Sequence, residues 1–195
     1  MHQVMAAAVV VWLLAMAGEA RAHDVVAGVG GFSGGLLHPL LVPGHVLALV
    51  ALGLAFGQKK ERPRADLILF AAGLAIGIGL VVAAFAVTTD LAILAVAAAG
   101  GVAAAIGRPL PLPLSGPLAI IAGAAVAFDS VPQEISMQTT LLALVGTAIS
   151  TSVVVGLVAE GARGLTRDWQ RIGTRILGSW IAAAAIMVLA LRLGM

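Results

Sequence analysis

Residues 36–57 read LLHPLLVPGHVLALVALGLAFG and contain no Asp, Glu, Lys or Arg. A stretch of this length matches the roughly 20 apolar residues that one helix needs to cross the hydrocarbon core of a bilayer. Five more apolar stretches follow, at approximately residues 67–87, 91–106, 114–128, 140–159 and 172–193. The sequence therefore predicts an all-α membrane protein, a bundle of about six transmembrane helices.

The composition of the whole chain supports this class. Of the 195 residues, 61% are apolar and 10% are charged, and the mean hydropathy is +1.11. Soluble domains have about 45–50% apolar and about 25% charged residues, so a large soluble catalytic domain is excluded. With no cysteine, the chain has neither a disulfide framework nor a thiolate metal site.

The first residues have the pattern of a secretory signal peptide. Residues 4–17 are apolar over a length that suits a signal core better than a full span, and Ala20-Arg21-Ala22 is a typical cleavage site. We therefore expect a signal peptide at residues 1–22 and a six-helix transmembrane domain at residues 23–195, with His23 as the mature N-terminus. An uncleaved membrane anchor is the alternative.

The distribution of basic residues predicts the orientation. If the chain starts outside and alternates through six spans, the cytoplasmic loops carry nine basic residues and the outer side of the mature chain carries only Arg192. The nine are Lys59, Lys60, Arg62, Arg64, Arg108, Arg163, Arg167, Arg171 and Arg175. Because cytoplasmic loops are enriched in Lys and Arg, we expect a multi-pass protein of the bacterial inner membrane, with its mature N-terminus on the periplasmic or extracellular side. The basicity indicates topology rather than nucleic-acid binding.

Two histidines at the outer start of the first span are the central candidates for chemistry. His38 and His45 are seven residues apart, so on a straight helix they would share a face with about 10 Å between their Cα atoms. Pro39, Pro43 and Gly44 disfavour a straight helix. A bent helix could bring the imidazoles together, or the two could be successive binding positions along the path of an ion. Imidazole suits nickel, cobalt, copper and zinc; local hydrogen bonding and helix packing are the structural alternative.

Oxygen donors on the same side could complete a mixed metal site. Asp129 and Glu134 are clustered after the fourth stretch, and they could join His38 and His45 if the first and fourth helices are neighbours. A solvated loop is the alternative. His23, as a new N-terminus, could chelate a metal through its amine and its ring.

Small and hydroxylated residues suggest how the helices associate. Gly53-x-x-x-Gly57 and Gly73-x-x-x-Gly77 fit the rule that small residues allow close backbone approach between lipid-embedded helices. The fifth stretch is rich in Ser and Thr, which either line a polar path or bond back to their own helix carbonyls.

These features together resemble the HupE/UreJ family of hydrogenase and urease accessory membrane proteins. The resemblance rests on a cleaved signal that exposes His23, on six spans, and on His38-Pro39 followed by His45 and then Leu47-Ala48-Leu49. It implies a nickel or cobalt permease that supplies metalloenzymes, with His38 and His45 on the two histidines of the motif.

The chain departs from the family pattern at several positions. The motif is approximately H-P-x-x-G-x-D-H, and this chain has Val42 in place of the Gly and Gly44 in place of the Asp. A later segment, approximately F-H-G-x-A-H-G-x-E, is matched only at Phe128 and Glu134, and Asp129 stands where the first His would be. A divergent member is implied.

The sequence leaves two functions open. The first is an inner-membrane permease or metal-delivery accessory protein for nickel or cobalt, which supports metalloenzyme maturation. The alternative is a non-transporting scaffold or assembly subunit that packs against a larger complex through its Gly and Ala faces. Neither is an enzyme, because no acid/base pair is evident. We expect no tightly bound cofactor, and as partners we expect membrane lipid, a divalent metal ion and metalloenzyme maturation proteins, but no nucleic acid.

Overall fold

The computed structural model describes residues 31–59, 63–85, 88–131 and 136–194. These residues form seven helices and no strand: α1 (Gly31–Leu41), α2 (Pro43–Gly57), α3 (Arg64–Val82), α4 (Asp90–Ile106), α5 (Leu112–Asp129), α6 (Met137–Arg163) and α7 (Asp168–Leu193). The all-α prediction is thus confirmed for this part of the chain. The predicted signal peptide lies outside the described residues.

The helices are suited to a membrane, but six full spans are not confirmed. By length and composition α3, α5, α6 and α7 can each cross a bilayer, and α1 with α2 makes a fifth candidate if the bent pair counts as one span. α4 is apolar but has 17 residues. At 1.5 Å per residue it extends about 25 Å, which is less than the roughly 30 Å of a hydrocarbon core. The described residues therefore support a multi-pass protein with four or five long spans.

The first predicted span consists of two helices. α1 ends at Leu41, α2 begins at Pro43, and the two are bent by 74°. Val42 between them has an extended backbone with φ −89° and ψ 112°. A residue before proline favours this conformation because the proline ring clashes with a helical predecessor, and Pro43 has no N–H to continue the helical ladder. The expected departure from a straight helix is confirmed.

α2 is the central helix of the bundle. It packs against α4 and α6, while α3 pairs with α5, α4 with α7 and α1 with α6. Leu49, Leu52 and Phe56 of α2 are fully buried. We call the end of the bundle where α2 starts the histidine end, because it contains His45. The other end, where α2 is followed by Lys59, is the arginine end.

Glycines bring the helix pairs into backbone contact. Gly53 and Gly57 face α6, and Gly73 and Gly77 face α5. A Cβ atom on any of the four would overlap atoms of the facing helix, so only glycine allows these distances. The prediction that both Gly-x-x-x-Gly pairs mediate close helix packing is confirmed.

The hydroxyl groups of α6 bond to helix carbonyls. Thr147 donates to the carbonyl of Gly35 in α1 at 3.1 Å, which ties α1 to α6. Ser150 and Thr151 both donate to the carbonyl of Thr147 in their own helix, at 3.2 and 2.8 Å. For these residues the structure favours back-bonding over a polar path.

Candidate metal centre

The bend at Val42 brings the two histidine rings together. The ring centroids of His38 and His45 are 5.4 Å apart, and the ring planes meet at 69°. A straight helix would separate the two Cα atoms by about 10 Å. Of the two arrangements that the sequence left open, the structure therefore has the paired one at the histidine end.

The carboxylate of Asp129 joins the pair from a third helix. Asp129 is the last residue of α5, and its Oδ2 lies 2.9 Å from Nε2 of His45. The first and fourth predicted spans are thus neighbours at this end, as a mixed site requires. One donor atom each from His38, His45 and Asp129 lies within 4.8 Å of the others.

The distances between these atoms can be compared with the distances between ligand atoms around a bound metal ion. Nitrogen and oxygen ligands lie about 2.0–2.2 Å from a first-row ion, so two ligands at right angles are about 3 Å apart and two opposite ligands are about 4.0–4.4 Å apart. The contact of His45 with Asp129 already has the first value. The three donor atoms lie within 4.8 Å of one another, so the widest separation has to shorten by about 0.4–0.8 Å if those two ligands are opposite, and by more in a tetrahedral shell. A modest movement of the side chains is therefore needed for all three to bind one ion.

Burial adds to the case for a cation. The side chain of His45 is 0% exposed and that of Asp129 is 14% exposed. Nδ1 of the buried His45 ring has no hydrogen-bond partner among the described residues, whereas Nε2 is paired with the Asp129 carboxylate at 2.9 Å. A buried polar group without a partner costs about 1–3 kcal/mol. A cation between Nε2 and Oδ2 would offset the charge of the partly buried carboxylate.

A further carboxylate, not placed at the site by sequence reasoning, lies nearby. Asp90 starts α4 at the histidine end and interacts with the carboxylate of Asp129. Its Oδ2 is also 3.9 Å from the guanidinium of Arg192. The signal that could have found Asp90 is its position as the first residue of a helix that starts on the same side as α2.

Two predicted ligands are not described. His23 and Glu134 lie outside the described residues, so their place relative to the cluster stays a prediction. The described part of the site consists of His38, His45 and Asp129, with Asp90 beside it.

A buried carboxylate at the arginine end has a cation of its own. Asp66, in the first turn of α3, contacts Nζ of Lys59 at 2.6 Å and accepts a hydrogen bond from Ser115 at 2.6 Å. Nζ of Lys59 also donates to the Ser115 hydroxyl at 3.0 Å. Asp66 is therefore neutralised within the protein and is not a counterpart of the histidine-end cluster.

Comparison with known proteins supports the resemblance found in the sequence. Residues 11–188 match the protein-family model described as HupE / UreJ protein, which covers nearly the whole chain. A search of the curated proteins and a search of the solved structures each found no match.

Proposed function

Because the chain belongs to the HupE/UreJ family and has several helices that can span a membrane, we propose that it is a permease or metal-delivery accessory protein for nickel or cobalt. In this role it supports the maturation of a metalloenzyme. The observation that carries the proposal is the convergence of donors from α1, α2 and α5 within 4.8 Å at one end of the bundle.

The proposed ligands are His38, His45 and Asp129, with Glu134 and His23 as further donors. Asp129 stands where the family motif has a histidine, so a carboxylate oxygen replaces an imidazole nitrogen in the proposed shell. Imidazole favours nickel, cobalt, copper and zinc, whereas carboxylate also suits harder cations. We therefore expect this site to distinguish less sharply between divalent ions than one built from imidazoles alone.

The charge distribution supports an orientation with the histidine end outside. At the arginine end the described residues Lys59, Arg64, Arg108, Arg163, Arg167, Arg171 and Arg175 are basic. At the histidine end the one described Lys or Arg is Arg192. By the positive-inside rule the arginine end is cytoplasmic, and the metal is taken from the extracytoplasmic side of a bacterial inner membrane.

The packing makes the two Gly-x-x-x-Gly pairs unavailable to a partner protein. Gly53, Gly57, Gly73 and Gly77 contact other helices of this chain, so a scaffold would have to use other surfaces. A hydrolytic enzyme is also disfavoured: the pair of His45 and Asp129 has no described hydroxyl bonded to it, and the hydroxyl of Ser130 donates to the carbonyl of Val126. The cluster offers ligands but no nucleophile.

The test compares metal binding and metal uptake in the same variants. Nickel and cobalt binding to the purified full-length protein is measured by equilibrium dialysis, and accumulation is measured in cells, for His38→Ala, His45→Ala and Asp129→Asn. Loss of a residue that only hydrogen-bonds to a metal ligand already lowers metal affinity by about 10- to 100-fold. Loss of a ligand itself should lower the affinity at least as much. Asp168→Asn, which removes an exposed carboxylate at the arginine end, is the control.

The results distinguish a permease from a delivery or accessory protein. Binding and accumulation that both fall in the three variants indicate a permease. Binding that falls while accumulation never exceeds that of cells lacking the protein indicates a delivery or accessory role. If all three variants bind nickel and cobalt like the wild type, the proposed site is wrong.

A further inference from the structure

A cavity of about 350 Å³ lies at the arginine end, between the ends of α2 and α6 and the first turns of α7. Its volume falls in the range of about 300–1,000 Å³ that is typical of small-ligand pockets. Four cationic side chains line it: Lys59, Arg163, Arg171 and Arg175. They come from three separate parts of the chain, so the tertiary fold and not a single basic run creates this concentration of charge.

The positive charge of the cavity is only half neutralised by the protein. Lys59 pairs with Asp66 at 2.6 Å, and Arg163 pairs with Glu160 at 2.6 Å. Among the described residues, no carboxylate lies within 4 Å of the guanidinium groups of Arg171 or Arg175. The cavity therefore keeps an excess of positive charge, and that excess belongs to two neighbouring arginines of α7.

The two arginines are held in place by backbone contacts. Nε of Arg175 donates to the carbonyl of Ala105 at 3.0 Å, and Nε of Arg171 donates to the carbonyl of Leu165 at 3.4 Å. These contacts use one donor of each guanidinium and leave the Nη groups for a ligand. Because the residues are four apart on one helix, their like charges repel each other, and a bound anion would offset this repulsion. A planar guanidinium matches the geometry of phosphate oxygens.

Apolar residues in and near the cavity favour an anion that is part of an amphipathic molecule. Leu54 and Leu165 line it with apolar surface. Trp169 lies on α7, two residues before Arg171, and is 66% exposed. Such exposure is typical of a tryptophan at the headgroup level of a membrane. Basic pockets between transmembrane helices on the cytoplasmic side bind anionic lipid headgroups. We propose that the arginine-end cavity binds the phosphate of an anionic phospholipid headgroup through Arg171 and Arg175.

This proposal rests on the orientation proposed above but not on the metal function, and it is tested without metal. The full-length protein is purified in detergent and freed of co-purified lipid. Native mass spectrometry and a titration then measure the binding of short-chain phosphatidylglycerol, of short-chain phosphatidylcholine and of inorganic phosphate. The same measurements are made on the double variant Arg171→Gln/Arg175→Gln and on the charge-retaining variant Arg171→Lys/Arg175→Lys. Arg64→Gln, which removes an exposed arginine at the same end outside the cavity, is the control.

We expect phosphatidylglycerol to bind the wild type more tightly than phosphatidylcholine does. The double glutamine variant should bind it at least about 20-fold more weakly, because each basic residue near a membrane surface contributes roughly a fivefold gain in affinity for anionic lipid. The lysine variant should keep part of the binding and Arg64→Gln all of it. Thermal unfolding of each purified variant verifies that it is folded.

The measurements with different ligands distinguish a lipid phosphate from free phosphate. If inorganic phosphate binds as tightly as phosphatidylglycerol and competes with it, the site takes free phosphate and the assignment to a lipid is overturned. If only the lipid binds, the headgroup is the ligand. The proposal is overturned if the folded glutamine variant binds phosphatidylglycerol like the wild type, if phosphatidylcholine binds equally well, or if neither the lipid nor phosphate binds the wild type.

Discussion

The imidazole of His45 and the carboxylate of Asp129 meet at 2.9 Å, although His45 lies at the start of the central helix α2 and Asp129 at the end of α5. The contact joins a fully buried ring to a side chain that is only slightly exposed. It is the point at which two elements far apart in sequence form one donor cluster.

Asp129→His should keep metal binding, whereas Asp129→Asn should weaken it by about 10-fold or more. Histidine restores the residue type that the family motif has at this position and offers a ring nitrogen close to Nε2 of His45. Asparagine keeps the size of the side chain but loses its charge. Calorimetric titration of the purified variants with Ni²⁺, Co²⁺ and Zn²⁺ measures the difference. If both variants bind these ions as tightly as the wild type, residue 129 is not a ligand.

Pro43→Ala should weaken metal binding without removing any ligand. Alanine supplies the N–H that proline lacks and allows Val42 to become helical, so α1 and α2 can approach one continuous helix. The Cα atoms of His38 and His45 would then move toward a separation of about 10 Å. We expect a loss of nickel affinity of about 10-fold or more by equilibrium dialysis. Pro109→Ala, a proline change in the loop between α4 and α5, should leave the affinity unchanged.

Lys59→Met should destabilise the protein more than Asp66→Asn does. Asp66 is 1% exposed, so removal of its cation leaves a buried charge that only Ser115 stabilises, at a cost of about 3–5 kcal/mol. Lys59 is 19% exposed and can turn toward water when Asp66 loses its charge. Unfolding in mixed micelles, with the free energy obtained from the denaturant series, measures both variants. The reverse order would mean that Lys59 and not Asp66 is the confined charge.

Gly73→Ala should destabilise the bundle, whereas Gly79→Ala should not. A Cβ atom at Gly73 would overlap the backbone of Ile120 in α5, and forced overpacking costs about 1–3 kcal/mol. Gly79 is in the same helix with open space around it, so alanine there should gain up to about 1 kcal/mol from helix propensity. Thermal unfolding in detergent compares the two. If both changes are neutral, the pairing of α3 and α5 does not depend on close backbone contact.

The local features of this fold could be predicted from the sequence. Uninterrupted apolar stretches predicted the helices, and prolines at positions 39 and 43 predicted a bent start for the first span. The spacing of Gly53 with Gly57 and of Gly73 with Gly77 predicted close packing. Each of these inferences depends on residues that are neighbours in sequence, where backbone chemistry determines the outcome.

The partners of each helix could not be predicted in the same way. These helices are apolar around most of their circumference, so hydrophobic periodicity does not indicate which side faces which neighbour. For this reason the sequence leaves open whether α2 contacts α5, although a site formed by His45 and Asp129 requires that contact. The loop pattern predicts that Lys59 is an orientation signal, and nothing in the sequence indicates that Asp66 is buried beside it.

The position of His45 has a consequence for kinetics. The residues that follow it along α2 toward the arginine end, such as Leu49, Leu52 and Phe56, are apolar and fully buried. An ion moving from the cluster along these side chains would lose its oxygen and nitrogen neighbours, which is costly in such apolar surroundings. If the protein moves metal, it should therefore do so as a carrier that changes shape in each cycle, with uptake that saturates at high ion concentration and slows steeply on cooling.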